Sequence, residues 1–163
     1  MSNTRKIVMA SMLAALTCVA TMVIKIPSPL QGYLNLGDCV VLCCGWLLGP
    51  GYGFLAAGIG SALADIFSGY ALYAPATLFI KGLMAVIAYA LYKSLKGGKA
   101  ALIISGTAAE CFMVGGYLAF ESVLYGFTAS MVNVPANGVQ GLAGLILGVL
   151  LMGIVKQHKL MTL

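Results

Sequence analysis

The chain has only four acidic side chains, Asp38, Asp65, Glu110 and Glu121, and all four lie in or at the edge of long apolar runs. A carboxylate in such surroundings is costly and faces a cavity or a partner. It can exchange a proton, pair with a cation, or accept hydrogen bonds from a ligand. Glu110, Val114, Tyr117 and Glu121 follow i, i+4, i+7, i+11 spacing and share one helix face. Two carboxylates and a phenol on one stripe form either a polar cleft or an interhelical hydrogen-bond network. Asn133, Asn137 and Gln140 repeat the pattern, and Gly144 and Gly148 continue their face. Amides both donate and accept, which suits a heteroaromatic ring with mixed edges; the alternative is helix capping and packing. Asp65 and Lys81 are candidates for an ion pair between neighbouring helices.

Catalytic chemistry finds little support. There is no G-x-x-x-x-G-K-[ST] loop, no H-E-x-x-H and no G-x-S-x-G, so ATP use through a P-loop, zinc hydrolysis and a serine elbow are all unsupported. No nucleophile stands beside a base, and no cofactor is implied. The five cysteines, Cys18, Cys39, Cys43, Cys44 and Cys111, form no C-x-x-C pair and read as small buried hydrophobes. The single histidine, His158, lies in the basic C-terminal tail, so no metal site is expected.

The elements that hold these residues follow from composition. Of 163 residues, 61% are hydrophobic and 8% charged, with mean hydropathy +1.03. A soluble domain carries roughly 25% charged residues, so the bilayer is the natural solvent for this chain, read as one domain over residues 1–163. Six continuous apolar segments fall at about 6–25, 38–50, 53–71, 75–93, 100–124 and 135–155. The second is shorter than the roughly 20 residues a span needs. Continuous rather than alternating runs argue against barrel strands. The expected architecture is an all-α membrane bundle of six transmembrane helices. The first run is long and lacks an A-x-A site after it, so no cleavable signal peptide is expected.

The net charge of +5 reflects segment ends rather than nucleic-acid binding. Arg5 and Lys6 precede the first span; Lys93, Lys96 and Lys99 join the fourth to the fifth; Lys156 and Lys159 follow the sixth. With six spans all seven fall on one side, which the positive-inside rule makes the cytoplasm, along with both termini. Three outer connections remain: Lys25 to Asp38, SGYALYAP at 68–75, and YGFTASMVNVPAN at 125–137. They concentrate Tyr, Asn, Ser, Gly and Pro. The first contains QGYLNLGD, where Tyr33, Asn35 and Asp38 stand among Pro27, Pro29, Gly32 and Gly37. Asp38 there is either a contact at a pocket rim or a helix cap. On the first span, Ala10 and Ala14 form a small-residue stripe suited to close helix contact.

The run YLNLGDCVVLCCGWLLGPGYGFLAAGIGSALADIFSGYALYAPATLFIKGLMA, residues 33–85, resembles the substrate-binding S components of bacterial energy-coupling factor (ECF) vitamin transporters. The wording NLGD, LLGPGYG, ADIFSGY and YAPATLFIKGL is closest to hydroxymethylpyrimidine- or pyridoxine-type members, and the likeness spans the whole chain. It implies a multi-pass protein of the bacterial plasma membrane, catalytically inert, that captures a water-soluble vitamin outside and reorients to deliver it inward. The partners implied are a transmembrane coupling subunit, docked through Ala10 and Ala14, and two cytoplasmic ATPases. QGYLNLGD would be a lid over the pocket. The site expected from residues and resemblance together is Tyr33, Asn35, Asp38, Tyr73, Lys81, Glu110, Tyr117, Glu121, Asn133, Asn137 and Gln140. Riboflavin and pantothenate are alternative ligands. A pantothenate carboxylate would call for Lys81 or Lys25. A competing class, a membrane scaffold or channel without a soluble ligand, explains the hydrophobicity but not the amides and carboxylates gathered at the outer ends of spans five and six.

Overall fold

The computed structural model describes residues 3–28, 30 and 32–157. Pro29, Gln31, His158 and Lys159, which figure in the reading above, lie outside the described residues. The helices are α1 (Asn3–Val23), α2 (Asp38–Leu48), α3 (Pro50–Phe67), α4 (Ala74–Ser94), α5 (Lys99–Tyr125), α6 (Phe127–Ser130) and α7 (Val134–Gln157). A 3-10 turn, Met131–Asn133, joins α6 to α7. The bundle therefore has six principal helices, close to the six apolar segments. Four helical stretches are long and apolar enough to cross a membrane: α1, α4, α5 and the α6–α7 unit from Phe127 to Gln157. Between α1 and α2, a two-residue strand β1 (Ile26–Pro27) pairs antiparallel with β2 (Tyr33–Leu34).

The shortest principal helix occupies the centre. Ten of the eleven residues of α2 are buried, and it packs on α1, α3, α4 and α7. Its run DCVVLCCGWLL is hydrophobic all round, as a helix enclosed on every side must be. At 1.5 Å per residue it is about 16 Å long, half of a roughly 30 Å hydrocarbon core. The hairpin and a cavity complete its column at one end. At the other end Gly49, with φ +79°, closes α2 in a conformation that side chains resist, and Pro50 opens α3 at the position that needs no N–H donor. The connection between the second and third apolar segments is thus the single residue Gly49.

Side-chain contacts fix which ends lie together. The Lys156 amine donates to the Tyr92 hydroxyl at 2.8 Å, so α7 and α4 finish at the same end, here the basic end. The Lys25 amine donates to Ser68 Oγ at 3.1 Å, and Tyr73 Oη to Glu121 Oε1 at 3.4 Å. These join the hairpin, the α3–α4 connection and the end of α5 at the opposite, hairpin end. Residues 127–133, read from sequence as an outer loop, are helical instead, because α6 and the 3-10 turn carry α7 back over that end.

The bundle's exterior is apolar. Ile7, Val8, Met12 and Val19 of α1 are exposed, as are Val139, Leu142, Ile146 and Leu150 of α7. Water would tolerate no such belt. Cys39, Cys43 and Cys44 are buried as expected, whereas Cys111 is exposed on this belt. No group of metal-ligating side chains occurs among the described residues.

Candidate ligand-binding site

Beneath the hairpin is a cavity of about 40 Å³, room for a few water-sized groups. A metabolite-sized ligand needs several hundred Å³, more than this space offers. The cavity wall takes Tyr33 and Asn35 from the hairpin segment, Tyr70 and Tyr73 from the α3–α4 connection, Tyr117 and Glu121 from α5, and Asn133, Asn137 and Gln140 from the 3-10 turn and α7. Ser28, Gly32, Asp65 and Thr77 complete it. The two stripes read from sequence, on α5 and at the start of α7, therefore face one space.

Three polar latches hold the hairpin. Tyr33 Oη donates to Asp65 Oδ1 at 2.7 Å. The Asn35 backbone N–H donates to Gln140 Oε1 at 3.0 Å. The Leu30 N–H donates to Asn133 Oδ1 at 3.3 Å. The Asn35 side chain accepts from the Gly37 N–H at 2.9 Å, an Asx turn that bends the chain into α2. The Tyr33 and Tyr70 rings lie 4.8 Å apart, tilted. Burial, reinforced by the neighbouring Asp65 charge, pushes the Tyr33 phenol above its ordinary range. Burial does the same to Tyr73, with a further push from Tyr125 and Glu121. Both phenols therefore stay protonated as donors.

The expected Asp65–Lys81 ion pair does not form. Lys81 pairs with Asp38 instead, and Asp65 takes the Tyr33 hydroxyl. The reason is where α2 starts: its first residue, Asp38, meets Lys81, the eighth residue of α4, about 10 Å along that helix from its first residue. Asp38 is not a cap either, since Gly37 holds the N-cap position without a side-chain bond. Its carboxylate turns inward and also accepts from Gln140 Nε2 at 2.7 Å. Gln140 is thus oriented from both sides, its amide nitrogen toward Asp38 and its oxygen toward Asn35. Gly144 makes this possible, because a Cβ there would stand 2.6 Å from Asp38 Cβ and 3.0 Å from Glu110 Oε1.

Eight of the eleven anticipated residues line the cavity: Tyr33, Asn35, Tyr73, Tyr117, Glu121, Asn133, Asn137 and Gln140. Asp38, Lys81 and Glu110 do not. The first two form its foundation. The Lys81 amine also sits 5.4 Å from the Tyr117 ring centroid, a cation–π contact that supports the wall. Glu110 packs along Gly141 and Gly144. Sequence reasoning did not place Ser28, Tyr70 or Thr77 in the wall, nor Asp65, which it read only as an ion-pair partner of Lys81. Thr77 was legible as the i+4 partner of Tyr73 on the same face; its hydroxyl lies 3.1 Å from that of Tyr117.

Away from the cavity, Ala10 and Ala14 line an apolar groove between α1 and α3. A Cβ on Gly60 would lie 2.4 Å from the Ala14 carbonyl oxygen, so the two helices are in close backbone contact there. Only 11% of the α1 span is buried, and its outer face is left without a protein neighbour.

An apolar helical bundle with a polar cavity at one end has the architecture of a membrane-embedded protein with room for a small polar ligand. The comparisons make this specific. The family model described as "ECF-type riboflavin transporter, S component" matches residues 1–157, and the chain belongs to this family. It is an integral membrane protein of the S-component class, a transporter component family and not an enzyme family. A Pyrococcus woesei protein described as "Uncharacterized protein in gap 3'region" is 38% identical over 132 residues, covering 80% of this chain and 87% of that one. Among solved structures, one described as "Structure and mechanism of the S component of a bacterial ECF transporter" superposes with a TM-score of 0.75 at 23% identity, covering 96% of this chain and 98% of its own. An S component for biotin superposes at 0.69 with 19% identity, covering 99% and 96%. At these identities the superpositions establish the fold alone.

Proposed function

We propose that this chain captures a water-soluble vitamin or vitamin precursor in the cavity under the hairpin, on the outer side of a bacterial plasma membrane. It then delivers the ligand inward together with an ECF coupling subunit and two cytoplasmic ATPases. The carrying observation is the cavity itself: phenols, amides and carboxylates from four parts of the chain converge under a latched hairpin. The positive-inside distribution supports six spans with both termini in the cytoplasm, which puts the hairpin end outside. The shortness of α2 does not count against six, because the hairpin column completes its path.

The ligand this wall suits is a nitrogen heterocycle such as hydroxymethylpyrimidine or pyridoxine, with amides for its mixed edges and tyrosines for its faces. Riboflavin is the second reading, favoured by the description of the matching family. Pantothenate is disfavoured because Lys81 is engaged by Asp38 and Lys25 by Ser68. The outer face of α1, with the groove lined by the half-buried Ala10 and Ala14, is the proposed docking surface for the coupling subunit.

A thermal-shift panel of riboflavin, thiamine, hydroxymethylpyrimidine, pyridoxine, pantothenate and biotin on the detergent-solubilised chain tests the ligand role. One compound should raise the unfolding temperature in a saturable way; six flat responses would favour the scaffold class. Replacing Ala10 and Ala14 by Trp should abolish uptake in cells while that shift persists. Loss of both would assign the two alanines to internal packing.

A further inference from the structure

The cavity's two carboxylates are each half satisfied. Asp65 and Glu121 are 6% and 3% exposed. Asp65 Oδ1 accepts from Tyr33. Glu121 Oε1 accepts from Asn133 Nδ2 at 2.8 Å and from Tyr73 Oη. Asp65 Oδ2 and Glu121 Oε2 have no hydrogen-bond partner among the described residues. A buried acceptor left unpaired costs free energy, more when it is charged, and native structures hold few such groups; among the described residues the others are Ser61 Oγ and both Glu110 oxygens, which lie outside this wall.

Their placement separates them. Asp65 is on α3 and Glu121 on α5, and α4 packs against both, so one carboxylate stands on each flank of α4. Among the described residues the cavity wall contains no Lys, Arg or His. The nearest buried cation, Lys81, is committed to Asp38. Lys25 is at the surface, with its amine on Ser68. The wall therefore offers two acceptor positions and no countercharge.

We infer that the cavity selects ligands that donate hydrogen bonds at two separated points and carry no anionic group, with Asp65 and Glu121 as the two accepting stations. Amino, ring N–H, hydroxyl and protonated nitrogen groups meet the condition by donating; a quaternary nitrogen would be accepted by charge alone. A carboxylate or phosphate on the ligand would face two acceptors of its own sign, with no cation among the described residues of the wall itself to receive it. The inference rests on the cavity being the ligand site, and it narrows that reading to a chemical class.

The test is calorimetric titration of wild type, Asp65→Asn and Glu121→Gln with riboflavin, thiamine, hydroxymethylpyrimidine, pyridoxine, biotin and pantothenate. Both substitutions keep the side chain's shape, and the unfolding temperature without ligand verifies folding. The wild type should bind among the first four and reject biotin and pantothenate. Each isostere should weaken the bound compound about 10- to 100-fold, the effect of a lost charge-assisted hydrogen bond. A desamino analogue of hydroxymethylpyrimidine, or lumichrome in place of riboflavin, should lose affinity comparably while losing its sensitivity to one isostere only. Tight binding of biotin or pantothenate, or an unchanged Kd in both folded isosteres, would overturn the donor rule and leave the cavity as the ligand site. A wild type that binds none of the six would overturn the ligand site and the rule with it.

Discussion

Asp38 and the pair Asp65–Glu121 are carboxylates of one bundle in opposite conditions. Asp38 has both oxygens partnered, one by Lys81 and one by Gln140, and is fully buried. Asp65 and Glu121, in the cavity wall, keep one oxygen each without a partner. The first arrangement is structural, a neutralised pair tying α2, α4 and α7 together. The second is unfinished, and a ligand would complete it. Burial alone does not distinguish recognition from architecture in this protein, because all four carboxylates are buried; nor does partner count by itself, because Glu110 has neither oxygen partnered and stands outside the cavity wall. What marks Asp65 and Glu121 is an unpartnered oxygen together with a place in that wall.

The contrast is broken most severely by removing the cation. Lys81→Met strands the Asp38 charge in the bundle and should cost about 3–5 kcal/mol, read as a collapse in yield and unfolding temperature. Adding Asp38→Asn to it should recover part of the loss. A Lys81→Met protein of wild-type stability would mean that the pair is not structural. Next in size is Gly144→Ala, whose methyl would crowd Asp38 and Glu110 and should cost about 1–3 kcal/mol in thermal unfolding. The smallest change is Tyr33→Phe, which releases one hairpin latch. It should lower the unfolding temperature by the equivalent of roughly 1 kcal/mol and speed ligand release in a stopped-flow chase, leaving the bundle intact.

Much of the fold was legible because apolar runs of bilayer length leave the backbone one solution. Six segments, the brevity of the second and the shared face of Asn133, Asn137 and Gln140 all followed from spacing. Pairing across the bundle did not. Asp65 and Lys81 are the natural partners for adjacent antiparallel helices, and Lys81 nonetheless goes to Asp38. What decided it is depth: α2 begins low in the bundle, and Gly144 lets its first carboxylate approach α7. Helical turns at 127–133 were hidden by Gly126, Asn133 and Pro135, residues that read as loop signals. Tyr70 was hidden because a tyrosine at a connection reads equally well as an interfacial anchor.

The central claim, that the cavity under the hairpin holds a small vitamin-like molecule, is tested most directly by native mass spectrometry of the gently purified chain. The account predicts a bound species with the mass of an uncharged or cationic B vitamin or precursor, lost when Asp65→Asn and Glu121→Gln are combined. A bare chain that stays bare after incubation with the six compounds would contradict it, and the hairpin would then be a structural cover over a short helix.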